Sequence, residues 1–230
     1  MSINRPAAGG GREILVTPQR FLKWIDGFDA RHVVAGAVYT SGGMEVAAAD
    51  GSLAVCGLPL GGGSPDEIPE GDSRTRIEHF ADVARQPRRV GVVLARKGAF
   101  AVGVFDGDRL QSSKVDTSYV QGRTKAGGWS QKRYSRRRGN QADHAAGKAA
   151  DAANRVLAPA AAGLDAVVTA GDRTSVDAVF KDPRLAGLKA KIVAPHIGDV
   201  GEPRLAVLKD MPARFAAVSI HLVEPESPDA

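Results

Sequence analysis

The sequence predicts an α/β protein: a mixed β-sheet with packed helices, plus a small N-terminal α+β module. Two observations carry the prediction. Apolar residues recur at helical spacing in segments 18–28, 74–85 and 142–160, and Val-, Leu- and Ile-rich runs closed by Gly-containing turns lie between and after them. Aromatic residues make up only 5% of the 230, so the core must rest on Val, Leu, Ile and Ala.

The elements follow in order. Residues 1–12 lack an apolar run of signal-peptide length and read as a disordered lead-in. Thr17 is a natural N-cap and Pro18 suits the first position of a helix carrying Phe21, Leu22, Trp24, Ile25 and Phe28. Residues 32–39 and 44–49 read as strands joined at Ser41-Gly42-Gly43, and Asp50-Gly51 is a hairpin signal into a strand over 52–56. Pro59, Gly61-Gly62-Gly63 and Pro69 make 57–72 a linker. The triple glycine lacks the Gly-Lys-Ser/Thr ending of a phosphate-binding loop.

Residues 74–85 form a helix with Ile77, Phe80, Ala81 and Ala84 on one face. Strands over 89–95, 99–105 and 109–119 make an antiparallel meander turning at Lys97-Gly98 and Asp106-Gly107. An alanine-rich stripe from Ala142 to Ala160 predicts a helix from about 135 to 162, with Gly163 as its stop. A strand over 166–170, a helix over 174–180, a short strand over 191–194 and a closing strand over 215–223 complete the chain. The expected domains are 1–56, a linker over 57–73, and 74–230.

Composition narrows the chemistry. Cys56 is the single cysteine, which excludes a disulfide framework and a thiolate zinc site, and its apolar neighbours make it a buried small hydrophobe. No apolar stretch approaches the ~20 residues that span a bilayer. A reduced, cytoplasmic, soluble protein without membrane contact is expected. The net charge of +5 favours an anionic partner.

That charge is concentrated. Seven of the 31 Lys and Arg residues (Arg123, Lys125, Lys132, Arg133, Arg136, Arg137 and Arg138) fall within 121–142, where there is no acid. They surround Gly127-Gly128-Trp129-Ser130-Gln131. Paired glycines allow close backbone approach to another molecule, and the flanking cations make that molecule a polyphosphate, RNA above all. Hydrolysis of a tRNA ester asks for such a tip: slim, lined with cations, and carrying a neutral group able to aim water and help an oxyanion. A glutamine amide does this where a carboxylate would be repelled by phosphates.

On these residues, from Arg123-Thr124-Lys125-Ala126 through Gln131, with strands before and a long helix after, the chain resembles the Vms-like release factors. These are actinobacterial-type peptidyl-tRNA hydrolases, similar to the middle domain of eukaryotic and archaeal class I release factors. The resemblance covers roughly 89–223 and implies a middle-domain-like, RNase H-like fold. It implies rescue of stalled nascent chains by peptidyl-tRNA hydrolysis, with the loop entering the peptidyl transferase centre of the large ribosomal subunit. It makes Gln131 the catalytic glutamine and Gly127-Gly128 the turn, with Arg123, Lys125, Trp129, Lys132, Arg133, Arg136, Arg137 and Arg138 on RNA. The partners implied are rRNA and peptidyl-tRNA, bound by a monomer without metal or organic cofactor. In release factors the glutamine directly follows the glycines, whereas here Trp129 and Ser130 intervene. Trp129 either stacks on a base or anchors the loop to its own domain.

Two other functions stay open at this level: cleavage of tRNA near its 3′ end, and ribosome or RNA binding without catalysis. Asp106, Asp108 and Asp116 suggest a nuclease metal pair, although turn chemistry accounts for the first two. The five histidines show no metal-ligand spacing, and no serine sits in a nucleophile elbow.

Overall fold

The structure, a computed structural model, describes residues 3–7, 10–116, 131–193 and 196–225, with backbone alone for 3–4 and 131–142. In chain order its elements begin with β1 (Ile3–Pro6), β2 (Arg12–Val16), α1 (Pro18–His32), β3 (Val34–Thr40), β4 (Gly43–Ala48), β5 (Leu53–Gly57) and α2 (Ser73–Arg85). There follow β6 (Arg89–Arg96), β7 (Ala99–Asp106), β8 (Arg109–Asp116), α3 (Gln131–Leu157), β9 (Ala166–Gly171) and α4 (Arg173–Val179). The chain ends with α5 (Ala186–Lys189), α6 (Leu205–Lys209), α7 (Pro212–Phe215) and β10 (Val218–Val223). These segregate into two compact units, Met1–Gln86 with Pro212–Ala230, and Pro87–Met211.

In the first unit, six strands form a sheet in the order β1-β2-β10-β5-β4-β3, every neighbouring pair antiparallel. The strands alternate, so Ile14, Val16, Val46, Ala54, Cys56, Ile220 and Leu222 are buried on one core with α1 and α2. α1 buries Phe21, Ile25 and Phe28, one stripe at 3.6-residue spacing. Phe21 meets Phe80 of α2 at 5.1 Å between ring centroids. Thr17 sits at the N-cap of α1 without a side-chain cap bond, whereas Asp72 caps α2 by accepting the Thr75 N–H at 2.8 Å.

In the second unit, four strands are ordered β8-β7-β6-β9, antiparallel except for the parallel pair β6/β9. The mixed sheet expected from the sequence is therefore present. Ala149, Ala150, Ala152, Ala153 and Leu157 of α3 share a core with Val93, Phe100, Val102, Val104 and Val167 of the sheet. Small side chains bring α3 close, and Gly91 makes room beneath it: a Cβ there would stand 3.1 Å from Leu164 and 3.3 Å from Leu157. On the other face, Leu208 of α6 stands over Gly103 of β7.

Several expectations are corrected. Part of the segment read as a disordered lead-in is β1, which pairs with β2 from Ile3↔Leu15 to Pro6↔Arg12. α1 runs on to His32, so β3 starts later, at Val34. The expected boundaries at 56 and 73 do not divide the chain, because α2 shares the core of the first sheet and β10 hydrogen-bonds between β2 and β5. The start of the expected linker is a 3₁₀ turn (Pro59–Gly61) closed by the Leu58↔Gly62 bridge, with Leu58 buried. α3 begins at Gln131, four residues before the expected start, and gives way to a 3₁₀ segment (Ala158–Gly163) where Pro159 removes an N–H donor. The strand expected over 191–194 reduces to a single Val167↔Ile192 bridge among the described residues.

Candidate functional site

Two elements flank the basic Gly-Gly-Trp-Ser-Gln segment. β8 leads into it, held to β7 in register as far as Phe100↔Asp116. α3 leads out of it, pinned by Ala149, Ala150, Ala152, Ala153 and Leu157, none more than 4% exposed. Gln131 is the first residue of α3, about 27 Å of helix before Ala149 at 1.5 Å per residue. Lys132, Arg133, Arg136, Arg137 and Arg138 thus occupy the opening turns of a helix with no acid in its first turn. Cations there oppose the helix dipole. Stability of the helix does not explain them.

Gly127, Gly128, Trp129, Arg123 and Lys125 lie outside the described residues, as do the side chains of Gln131, Lys132, Arg133, Arg136, Arg137 and Arg138.

The rival constellations can be measured. Asp106 and Asp108 bracket the Gly107 turn, where Gly107 takes φ +59°, and Asp116 lies at the far end of β8, roughly 23 Å away at 3.3 Å per residue. Asp116 is therefore too far along the strand to share a metal ion with either of the other two. Among the described residues, no group of three or more His, Cys, Asp or Glu side chains is placed to hold a metal ion.

Ser52, His32 and Asp50 do meet, but not as a hydrolytic triad. Ser52 Oγ and Asp50 Oδ2 both contact His32 Nδ1, at 3.1 and 2.8 Å, whereas a triad sets them on opposite ring nitrogens. Ser52 is 1% exposed, and His32 Nε2 faces Glu224 at 3.5 Å. The group clamps the end of α1 to the β4–β5 turn and to the residue after β10. The hydrogen bonds from His32 and from the Ser52 N–H hold the Asp50 carboxyl down to about 2.

His196 fastens the segment after α5 to β9. Its Nε2–H donates to the Gly171 carbonyl at 2.9 Å, and Nδ1 lies 3.0 Å from the Thr169 hydroxyl. Beside the carboxyl ends of β6 and β9 is a cavity of about 400 Å³, lined mainly by Ala95, Ala146, Ala149, Ala178 and Val179, with Lys97 and Thr174 at its polar edge. The motif reading passed over β8 itself. Arg109, Gln111, Ser112, Ser113 and Lys114 are all exposed on it, and the absence among them of the β-branched and aromatic residues that favour strands was the available signal.

A sequence profile of the family described as Actinobacteria/chloroflexi VLRF1 release factor matches residues 88–221, more than half of the chain. The chain belongs to this release-factor family. The match includes the second unit from its second residue and runs on into β10. Peptide chain release factor subunit 1 of Aeropyrum pernix is 29% identical over 145 residues, 60% of this chain and 38% of that relative. The chain thus spans about two fifths of the curated relative it matches. Among solved structures, the archaeal translation termination factor aRF1 aligns with a TM-score of 0.42 at 17% identity, covering 87% of this chain and 63% of that one. A second archaeal protein aligns at 0.37 and 18% identity, covering 74% and 52%. Among the described residues, no helix is long and apolar enough to cross a membrane.

Proposed function

We propose that this protein hydrolyses peptidyl-tRNA on the large ribosomal subunit, freeing nascent chains from stalled translation. Membership of a release-factor family across residues 88–221 carries the reading, because that stretch contains the whole basic Gly-Gly-Trp-Ser-Gln segment. Family membership supports a role in translation termination or ribosome rescue; the ester hydrolysis and the residues assigned to it are our reading. Gly127 and Gly128 shape the tip, and Gln131 orients the attacking water towards the ester carbonyl. Arg123, Lys125, Lys132, Arg133, Arg136, Arg137 and Arg138 neutralise rRNA and tRNA phosphates, and Trp129 stacks on a base or anchors the loop. The protein works in the cytoplasm as a monomer and needs no metal or organic cofactor for this chemistry.

The chemistry is consistent with that division of labour. Water attack creates an oxyanion, and an uncharged amide with neighbouring N–H groups stabilises it without repelling the phosphates around it. Loss of one such donor costs on the order of 10²–10³ in rate. The test is single-turnover release from large subunits carrying peptidyl-tRNA, comparing wild type with Gln131→Ala. The expected result is a release rate lower by about 10²-fold with subunit binding kept, and free tRNA that retains an intact CCA end. A shortened tRNA would replace ester hydrolysis by nuclease action. Unchanged release would remove Gln131 from the mechanism and favour binding without catalysis by this loop.

A further inference from the structure

β8 has an unusual make-up for a strand. β6 and β7 bury twelve of their sixteen residues, whereas β8 buries none, and five of its eight (Arg109, Gln111, Ser112, Ser113 and Lys114) are exposed. Among the described residues it is the edge of the sheet, with no strand paired to its outer backbone N–H and C=O groups. Leu110 and Val115, partly buried, are its apolar attachments. Gln and Ser are poor choices for holding a strand in place. A lysine on an edge is a known guard against strand pairing, which accounts for Lys114 but not for Gln111, Ser112 and Ser113. β8 carries two cations, Arg109 and Lys114, and one carboxylate, Asp116 at its end, with Asp108 just before it; among the described residues neither Arg109 nor Lys114 is in an ion pair.

The register displays these groups on both sides. Ser112 and Lys114 stand opposite Val104 and Val102, on the face that α3 covers, and Ser113 stands opposite Gly103 on the other. Cations, hydroxyls, an amide and free backbone donors are the groups that contact phosphate and sugar oxygens without reading base sequence. From Arg109 to Lys114 they span roughly 16 Å of extended chain. In sequence, the first cation of the basic segment, Arg123, comes seven residues after Asp116.

We infer that β8 is a second RNA-contacting surface, a backbone-tracking strip in which Arg109 and Lys114 meet phosphates and Gln111, Ser112 and Ser113 donate to phosphate and sugar oxygens. It extends the contact of the basic segment along the outer edge of the sheet. This rests on the proposed action at the ribosome, and the experiment separates the two.

The full-length protein is titrated against purified large ribosomal subunits at several salt concentrations. Arg109→Gln/Lys114→Gln is compared with wild type, with Arg136→Gln/Arg137→Gln/Arg138→Gln and with Lys114→Arg. The β8 double variant is expected to bind about ten-fold more weakly, with a log-affinity against log-salt slope shallower by about two, one per phosphate contact. Lys114→Arg is expected to keep wild-type affinity and slope. Both residues are exposed, so thermal unfolding should match wild type. Unchanged affinity in the β8 variant, with loss in the arginine-run variant, overturns the strip and leaves the proposed function standing. No loss in either variant overturns the electrostatic part of that function as well. Weaker binding with an unchanged salt slope overturns the RNA assignment and points to a protein contact at the free edge.

Discussion

Val33 is a β-branched residue held at φ +57°, where side chain and carbonyl crowd each other. It is 63% exposed, so little packing compensates the strain. It ends α1, its N–H bonding to the Asp29 carbonyl while the Asp29 carboxylate accepts the Val34 N–H at 2.7 Å. Val33→Gly is expected to stabilise the protein by about 1 kcal/mol, the usual cost of such a backbone site, measured as a rise in urea midpoint. Gly171 is the converse: φ is +94°, and a Cβ would run into the Ala95 carbonyl oxygen. Gly171→Ala is expected to destabilise the second unit strongly.

Two titrations belong at the same scale. Asp50 is depressed to about 2, so its hydrogen bonds contribute fully above the ordinary carboxylate range. That contribution fades as pH falls from about 4 towards 2. Removing the His32 partner with His32→Ala should flatten stability across this acid window. Tyr39 is pushed up to about 12, chiefly by burial, with Arg76 pulling the other way. Its hydroxyl donates to the Arg76 carbonyl at 3.0 Å. The neutral phenol is favoured in the fold, so its contribution is present below pH 10 and is lost as pH rises towards 12. Ultraviolet titration should resolve one late tyrosine, absent in Tyr39→Phe.

At the scale of elements, Phe80 joins α2 to α1 and is completely buried. Phe80→Ala should cost about 3–5 kcal/mol, read from chemical denaturation, by leaving a cavity that neither helix can fill. Here the sequence was most informative. α2, α4 and the hairpins at Gly51, Gly98 and Gly107 lie within two residues of where their spacing and turn residues put them, and α1 starts where Thr17-Pro18 put it, since those signals are local. β1 escaped because Ile3 is its lone large apolar residue and it is fixed by pairing with β2. The short α5, α6 and α7 carry too few turns for a periodic signal. The basic segment was plain from composition alone, because it needs no partner element to be recognised. Its side-chain geometry is not a property that local spacing dictates.

At the scale of the molecule, sheet membership eluded the sequence because the decisive contacts join distant residues. Ser219 is paired with both Leu15 and Gly57. No neighbour-based signal reports such a partner. Two stability experiments follow from this arrangement. Residues 87–211, with their own core, should fold alone and melt in one cooperative transition. A chain ending at 211 should lose the first unit's transition and keep the second's, because β2 and β5 each lose their shared neighbour. Calorimetry distinguishes the two.

The central place of β10 also sets a timetable for biosynthesis. In chain order β10 follows every element of the second unit, yet it fills the gap between two of the earliest strands. The first sheet must wait, incomplete, until β10 has been made, whereas the strands of the intervening unit come earlier. The first sheet can therefore close only after the whole intervening unit has been synthesised.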